Sequence, residues 1–339
     1  MNTKTPIVTV LMPVYNGAKY LSEAIDSILN QTFEDFEFLI IDDVSTDDSV
    51  EIIKSYDDPR IRLVENKKNL GQAEAMNIGL SLALGQYIAR MDQDDISLRS
   101  RLEKQFELME KNLSVGLCST WLKHIGHQDG VLSLETENEL IKIKLLTNQN
   151  LAHPAVMIRK SLLDENKLRY NSIYSPAEDL DLWVRMCEYC DFANIPEPLV
   201  MYRLHQNQVS NALKQGESQG ANRVRSRLIK SIGVQLNNND LLIHNSIFCG
   251  EDSNLLTIEN IYRYLKHLQS ANLQKKLYEP VAFDEFIKSN WRRFIKKKLN
   301  LRIHNNISRL IFLPQTSFWN AKDRIRLLWS YFNLLLVKW

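Results

Sequence analysis

The chain has 339 residues, of which 44% are hydrophobic and 24% are charged, values typical of one large or two medium globular domains. The formal net charge of +1 gives no reason to expect a nucleic-acid partner. Charge is unevenly distributed, because residues 281–339 carry a net +9 and the first 280 residues carry −8. An acidic body with a basic tail suggests that the tail faces an anionic surface.

The four cysteines do not form a disulfide framework in a chain of this length. The C-x-x-C pair, Cys187 and Cys190, lacks the second pair that a structural zinc site needs, so we expect buried thiols. We find no signal-peptide pattern and no run of about 18 apolar residues that could span a membrane. These features favour a cytoplasmic protein with reduced thiols.

The first 120 residues alternate between two kinds of segment. Continuous apolar runs predict strands buried on both faces, and apolar residues at helical spacing predict the helices between them. The predicted strands are Ile7–Val14, Phe36–Ile41, Arg60–Val64 and Tyr87–Met91. The predicted helices are Tyr20–Leu29, Thr46–Tyr56, Gly71–Ala83 and Leu98–Lys111. This alternation predicts an α/β fold with a mainly parallel sheet and helices on both faces.

The pattern changes beyond Gly116. We predict irregular strands and turns over Trp121–Leu134, a helix over Asn138–Thr147 and a strand over His153–Ile158. A helix follows within Pro176–Tyr189, and Phe192–Arg203 is predicted to be extended and broken by prolines. A polar stretch near Asn211–Gln219 predicts a domain boundary, which assigns residues 1–215 to the sheet domain and 216–339 to a helical C-terminal region. The predicted helices of that region are Leu255–Leu268, Phe283–Leu301 and Asp323–Lys338.

Polar clusters follow three of the predicted strands, at Pro13–Asn16, Asp42–Asp43 and Asp92–Asp95. In a parallel sheet ligands bind beyond the carboxyl ends of the strands, so we expect the three clusters to converge on one crevice. An extended D-x-D places both carboxylates on one side of the chain, and such oxygens suit Mg²⁺ or Mn²⁺. The alternative is a helix cap, but capping does not need three acids, and like charges repel unless a cation is near.

Six motifs extend this interpretation: VLMPVYNG (Val10–Gly17), IIDDVSTDDS (Ile40–Ser49), NLGQAEAMNIGL (Asn69–Leu80), GQYIARMDQDD (Gly85–Asp95), AEDLDLW (Ala177–Trp183) and YRLHQNQVS (Tyr202–Ser210). In this order and spacing they resemble the family 2 glycosyltransferases, whose GT-A fold has a Rossmann-like sheet. The resemblance covers about residues 5–212 and leaves the tail uncovered. It implies an enzyme that takes a sugar from a nucleotide diphosphate donor.

The resemblance also implies roles for individual residues. The residues implied to bind the nucleotide sugar are Pro13, Val14, Asn16, Asp43, Asn69, Gly71, Asn77, Asp92, Gln93 and Arg203. Among them Asp43 would accept a hydrogen bond from the base, and Asp92 would lie near the ribose. Asp94 and His205 are the implied ligands of Mn²⁺ or Mg²⁺, with Asp95 a less certain third acid. A divalent cation would stabilise the charge of the leaving diphosphate.

Asp179, in the Glu178-Asp179 pair at a predicted helix start, resembles the family's catalytic base. Direct displacement needs a carboxylate within reach of the attacking hydroxyl, and a helix N-terminus stabilises the ionised form. Asp181 is the nearest rival. The implied reaction is inverting, with a UDP-sugar as expected donor and a glycan or lipid-linked acceptor. The resemblance suggests synthesis of a surface polysaccharide such as capsule, O-antigen or exopolysaccharide.

The tail from Val281 onward is basic and aromatic, with Trp291-Arg292-Arg293 and Lys296-Lys297-Lys298 close together. Amphipathic helices with tryptophan and basic residues lie at membrane interfaces, which predicts peripheral contact with the inner face of the cell membrane. The alternative is packing on the body or on a second copy, as in a homodimer.

Three other classes of protein are alternatives to a glycosyltransferase. The segment Pro13–Gly17 lacks the G-x-G-x-x-G of a dinucleotide-dependent oxidoreductase. It also lacks the glycine-rich and basic phosphate loop of a nucleotidyltransferase. A non-catalytic, nucleotide-sugar-binding scaffold at a membrane assembly site stays open, although intact Asp94 and Asp179 argue against it.

Overall fold

The computed structural model describes residues 5–127, 129–147, 150–205, 214–250 and 257–300. Contacts divide the described residues into two compact units. The first comprises those within Met1–Leu145 and Gln149–Arg225, and the second those within Leu146–Asn148 and Ser226–Trp339. This division falls at Arg225, and the boundary inferred from composition at residue 215 stays a prediction. The predicted helix Asp323–Lys338 lies outside the described residues.

The first unit begins with four strands joined by helices. The strands are β1 (Val8–Val14), β2 (Phe36–Asp42), β3 (Ile61–Glu65) and β4 (Tyr87–Arg90). The helices are α1 (Ala18–Leu29), α2 (Ser49–Lys54) and α3 (Gln72–Leu82). All four strands are parallel, in the order β3-β2-β1-β4. Strands β1, β2 and β4 are buried almost throughout, as their continuous apolar runs predict.

The second half of the unit completes the sheet. Its strands are β5 (Ile96–Ser97), β6 (Val115–Gly126), β7 (Gly130–Leu132), β8 (Met157–Arg159) and β9 (Asp191–Leu204). Its helices are α4 (Arg101–Lys111), α5 (Asn138–Lys144), α6 (Lys160–Glu165) and α7 (Glu178–Met186). A further helix, α8 (Lys214–Ser231), begins in this unit and ends in the second. The sheet continues from β4 through β8, β6 and β9 to β5, and β7 pairs with β6. Strand β8 is antiparallel to both of its neighbours, whereas β6 and β9 are parallel.

The irregular strands and turns predicted over Trp121–Leu134 correspond to the end of β6, which stops at Gly126, and to the short strand β7. Two other sequence predictions for this half were wrong in detail. The prolines at 196 and 198 do not break β9, because its register with β6 shifts opposite Trp121; such an irregularity tolerates residues without an N–H. The strand predicted from His153 starts at Met157, because a short 3₁₀ turn containing Pro154 precedes it.

The C-x-x-C thiols differ slightly from expectation. Cys187 and Cys190 are free, and both are partly rather than fully buried. Cys187 caps the end of α7, and Cys190 immediately precedes β9. Burial raises the pKa of Cys187 to about 12 and that of Cys190 to about 11. Both thiols therefore stay protonated at neutral pH.

A fully buried arginine on α4 joins the parallel and antiparallel parts of the sheet. Arg101 donates hydrogen bonds to the carbonyl oxygens of Arg90 at 2.6 Å and Val156 at 3.4 Å, and to Gln105 at 3.0 Å. Burial, together with the positive charge of Arg90, lowers the pKa of Arg101 to about 10. The guanidinium thus binds one carbonyl oxygen at the end of β4 and another just before the start of β8.

The second unit is helical, with α9 (Asn238–His244), a π-helical turn (Asn245–Cys249), α10 (Ile258–Lys275) and α11 (Pro280–Asn300). Asn237 and Asp240 form a capping box at the start of α9. Trp291 of the predicted membrane-facing tail is 1% exposed, so this tryptophan packs inside the unit. Within the described ranges, every helix is too short or too polar to cross a bilayer.

Candidate functional site

The loop after β4 brings three carboxylates together. Ligand oxygens of Asp92, Asp94 and Asp95 lie within 4.8 Å of one another. Asp95 is buried, and its Oδ2 has no hydrogen-bond partner. Burial, together with the negative charge of Asp92, raises the pKa of both Asp94 and Asp95 above the ordinary value. Three crowded oxygen ligands, one of them unsatisfied, fit a hard divalent cation that would relieve this repulsion.

The end of β9 braces this loop. The backbone N–H of Arg203 donates to Asp95 at 2.8 Å, and its Nε donates to the carbonyl oxygen of Asp94 at 2.9 Å. His205 Nε2 lies 2.8 Å from Asp94 Oδ2. Neither Arg203 nor His205 lines the cavity described below. Their predicted roles toward the donor and the metal stay predictions, while their contacts here fix the loop.

Asp92 is held by a cation that the sequence analysis missed. Arg90, only 2% exposed, places Nη2 at 2.5 Å from Asp92 Oδ1. Its Nε and Nη1 are buried without a hydrogen-bond partner. This buried guanidinium therefore balances part of the negative charge of the acidic loop. In the sequence Arg90 is a lone arginine at the end of an apolar strand, and this pattern is too weak to identify it as a site residue.

Gln93 connects the acidic loop to the end of β1. Its Oε1 accepts a hydrogen bond from the Tyr15 N–H at 2.9 Å, and its Nε2 donates to the Tyr15 carbonyl oxygen at 3.1 Å. The side chain lies against Gly17, where an added Cβ would come within 2.4 Å of Gln93 Oε1. Gly17 therefore leaves the space that this pairing needs.

Asp43 organises the turn that precedes α3. Its carboxylate accepts hydrogen bonds from the backbone N–H groups of Leu70 at 3.0 Å and Gly71 at 2.7 Å, and from Asn66 Nδ2 at 2.8 Å. Asn69 Nδ2 donates to the Asp43 carbonyl oxygen at 3.0 Å. Gly71 has φ +80°, a conformation that favours glycine. The predicted hydrogen bond from Asp43 to a base stays a prediction, and the carboxylate visibly supports this turn.

Two predicted donor residues bind protein groups instead of lining the cavity. Asn16 Oδ1 accepts a hydrogen bond from the Thr46 N–H at 2.7 Å. The side-chain amide of Asn77 pairs with both backbone groups of Tyr170, each at 2.9 Å. Neither Asn16 nor Asn77 is among the residues around the cavity. The structure therefore gives both a supporting position.

A cavity of about 590 Å³ lies beyond the carboxyl ends of the parallel strands. Nine of the predicted site residues line it: Pro13, Val14, Asp43, Asn69, Gly71, Asp92, Gln93, Asp94 and Asp179. Apolar side chains, among them Leu122, Leu132 and Leu134, complete another part of its wall. The three polar clusters of the sequence analysis thus share one crevice with Asp179.

Asp179 sits in the first turn of α7 and is 4% exposed. Its Oδ1 accepts a hydrogen bond from the Leu180 N–H at 2.7 Å. Burial, with the neighbouring charge of Glu178, raises the pKa of Asp179 to about 7. A carboxylate with a pKa near neutrality is suited to accept a proton at physiological pH. The rival Asp181 is fully buried, pairs with Arg185 at 2.7 Å and does not line the cavity.

His153 is a second residue that the sequence analysis did not place in the site. It lines the cavity, and its Nδ1 lies 3.9 Å from Asp179 Oδ2. Its only signal was a polar residue at the start of a predicted strand. The contact joins positions 26 residues apart in sequence, so no local pattern reports it.

An α/β sheet whose strand ends carry an acidic loop and a buried carboxylate on one cavity is the arrangement that the motifs predict for a glycosyltransferase of the GT-A fold. Glycosyl transferase family 2 matches residues 9–165. An uncharacterized glycosyltransferase of Haemophilus influenzae is 33% identical over 314 residues, which cover 87% of this chain and 92% of that protein. The chain belongs to glycosyl transferase family 2, as its motifs predict, and is a glycosyltransferase.

A further relative and two solved structures are similar to this chain. The O-antigen biosynthesis glycosyltransferase WbnJ of Escherichia coli is 34% identical over 208 residues, covering 59% of this chain and 80% of WbnJ. TarS 1-349 of S. aureus, solved with UDP-GlcNAc, matches with a TM-score of 0.60 at 18% identity over 88% of this chain and 93% of that one. The mannosyltransferase PcManGT of Pyrobaculum calidifontis, solved with GDP-Man and Mn²⁺, gives 0.53 at 15% identity over 99% and 89%. The structural likenesses confirm the predicted GT-A fold.

Proposed function

We propose that the protein is an inverting glycosyltransferase in which Asp179 is the base. The observation that carries this proposal is that Asp179 and the acidic loop containing Asp92 and Asp94 line the same cavity. Asp179 takes the proton of an acceptor hydroxyl while the oxygen attacks the anomeric carbon. The nucleoside diphosphate leaves from the opposite side, so an α-linked donor gives a β-linked product in one step.

The donor lies along the carboxyl ends of β1, β2 and β4 in this proposal. Pro13, Val14, Asn69 and Gly71 contact the nucleotide, and all four line the cavity. We propose a UDP-sugar as donor, which the complex of TarS with UDP-GlcNAc supports. The complex of PcManGT with GDP-Man makes the nucleotide the first variable to test.

The acidic loop is the proposed holder of Mn²⁺ or Mg²⁺. Asp94 is the principal ligand, Asp92 and Asp95 supply nearby carboxylate oxygens, and His205 lies within 2.8 Å of Asp94. The bound cation would neutralise negative charge on the leaving diphosphate. Arg203 keeps the loop in place through Asp94 and Asp95. The Mn²⁺ in the PcManGT complex supports a divalent ion of this kind.

We also propose an acceptor and a biological role. The acceptor is a hydroxyl of a glycan or of a lipid-linked glycan, and the product enters a surface polysaccharide. The name of WbnJ, an O-antigen biosynthesis enzyme, supports this role. Peripheral contact of the basic tail with the inner face of the cell membrane, or homodimer formation, belongs to the same proposal and concerns residues mostly outside those described.

A donor screen followed by one substitution tests the reaction. The full-length protein is incubated with UDP- and GDP-sugars and Mn²⁺, and released nucleoside diphosphate and product linkage are measured with a glycan acceptor. Asp179→Asn should lower turnover by ~10²–10⁴-fold, the usual contribution of a general base. Its donor-induced thermal stabilisation should persist, because the donor residues are intact. The exposed Asp57→Asn is the matched control.

Two results would change the conclusion. Turnover like that of the wild type in Asp179→Asn would remove Asp179 as base. Donor binding without hydrolysis or transfer, for every donor and acceptor tested, would favour the scaffold alternative. Addition of EDTA should abolish transfer and Mn²⁺ should restore it, since the carboxylate cluster is otherwise repulsive; unchanged activity in EDTA would contradict a metal-dependent reaction.

A further inference from the structure

A row of buried polar side chains runs from Asp179 into the protein. His153 Nδ1 faces Asp179 Oδ2 at 3.9 Å, and His153 Nε2 lies 3.0 Å from the Tyr170 hydroxyl. His153 is 8% exposed and Tyr170 is 3% exposed. Asn77 of α3 holds Tyr170 in turn, because its amide pairs with both backbone groups of that residue. The row therefore has a fixed end on α3 and a cavity-facing end at Asp179.

The chemistry of these groups determines where the protons lie. Burial and the charge of Arg90 hold the pKa of His153 well below its ordinary value, so the imidazole is neutral and carries one N–H. Burial raises the pKa of Tyr170, which keeps its hydroxyl protonated. Ionised Asp179 can only accept a hydrogen bond. The arrangement that satisfies both ends has Tyr170 donating to Nε2 and the Nδ1–H of His153 directed at Asp179.

Packing alone does not explain a histidine at this position. The ring contacts Trp183 edge-on at 5.8 Å between centroids and Tyr170 at 5.4 Å, which a phenylalanine would also do. Both ring nitrogens of His153, however, face polar groups. The separation of 3.9 Å is longer than a hydrogen bond, and such contacts in active sites often shorten only in the substrate complex.

We propose that His153 is a positioning residue for Asp179 and that Tyr170 fixes the tautomer of His153. This inference rests on the proposed function, in which Asp179 is the base. The His153 N–H stabilises the carboxylate form of Asp179 and orients Oδ2 toward the acceptor hydroxyl. The charged groups that act on Asp179 include Glu178 from its own helix and Arg90 from β4; His153 and Tyr170 face it as neutral groups.

Two substitutions of His153 separate this role from structural support. In His153→Asn the amide nitrogen can occupy the place of Nδ1 and still donate to Asp179. In His153→Gln the amide reaches the place of Nε2 and preserves the contact with Tyr170. We expect kcat to fall ~10–100-fold in the Gln variant, as for losses of supporting residues in other active sites, and at most ~5-fold in the Asn variant. The donor KM should change less than twofold in both.

The pH profile of kcat gives a readout that a structural role would not move. In His153→Gln the midpoint of the acidic limb should move to higher pH by roughly 0.5–1, because the carboxylate has lost its donor. Tyr170→Phe, which keeps the ring, should lower kcat ~2–10-fold and move the limb in the same direction, because the tautomer is no longer fixed. The exposed His267→Gln and Tyr189→Phe are matched controls and should behave as the wild type.

The outcomes distinguish failure of the proposed function from failure of the role of His153. Wild-type turnover in Asp179→Asn would overturn the proposed function, and this inference with it. An inactive Asp179→Asn together with a Gln variant at least as active as the Asn variant would overturn the role of His153 alone. A wild-type pH profile in Tyr170→Phe would do the same. Thermal unfolding and donor-induced stabilisation of each variant show that the comparison is made on folded protein.

Discussion

Asp179→Asn should make the protein more stable above neutral pH while it removes activity. The pKa of Asp179 is raised from 3.8 to about 7 by burial and by Glu178. At ~1.4 kcal/mol for each pH unit, this difference corresponds to ~4 kcal/mol of stability lost when the buried side chain ionises. Asparagine has nearly the same shape and can still accept the hydrogen bond from Leu180, yet it never ionises.

The effect has a defined pH window. Below about pH 4 Asp179 is protonated in both the folded and the unfolded chain, and its ionisation costs nothing. Between about pH 4 and pH 7 the unfolded chain has lost this proton while the folded one keeps it, so stability falls as the pH rises. Above about pH 7 the full loss is present. The advantage of Asp179→Asn should therefore grow from near zero below about pH 3 through ~1 kcal/mol near pH 4.5 to a plateau of ~4 kcal/mol near pH 8.

Urea denaturation at pH 5, 6, 7 and 8, followed by circular dichroism, measures this difference. The free energies of unfolding of the wild type and of Asp179→Asn are compared at each pH. Asp57→Asn, a change of the same type on the surface, should track the wild type throughout. A difference that does not vary with pH, or an Asp179→Asn variant that is less stable than the wild type at pH 8, would refute the reasoning.

Three further substitutions have expected outcomes. Gly17→Ala should push Gln93 off Tyr15, because the new Cβ would lie 2.4 Å from Gln93 Oε1; the donor KM should rise on the order of tenfold, and adding Gln93→Ala should raise it little further, because the pairing is already lost. Arg101→Met should lower the free energy of unfolding by ~2–4 kcal/mol, measured by urea denaturation, because buried carbonyl oxygens lose their donor. Lys276→Gly should raise the thermal midpoint of the helical unit, with a gain of ~0.5–1 kcal/mol, because Lys276 has φ +52° at a helix end; an unchanged midpoint would contradict that expectation.

The sequence predicted the half of the site that is built from strand ends. Polar residues after β1, β2 and β4 converge because parallel strands end at one edge of the sheet, and this rule needs only the order of the elements. Asp43, Asp92 and Asp94 could be placed in the crevice in this way. Their motifs are local, so composition and position along the chain are sufficient.

The missed residues depend on distant contacts. Arg90 is recognisable only by its burial beside Asp92, and His153 only by its approach to Asp179. The donor role of Asn77 stays a prediction, while its amide binds a backbone 93 residues further along the chain, a contact the sequence did not predict. Such pairings are set by how the second half of the sheet packs on the first. A single sequence contains no periodic signal for them.

Helix α3 contacts both the Asp43 side and the Tyr170 side of the site. Its first turn is tied to Asp43 through Gly71, and its middle holds the backbone of Tyr170 through Asn77. Substitutions that tilt or slide this helix would disturb both ends of the cavity at once. Relatives that use other sugars are therefore expected to differ in side chains on the cavity wall, and to conserve the length of the loop before α3 and the position of its axis. Donor specificity can therefore change only through substitutions that leave α3 in its position.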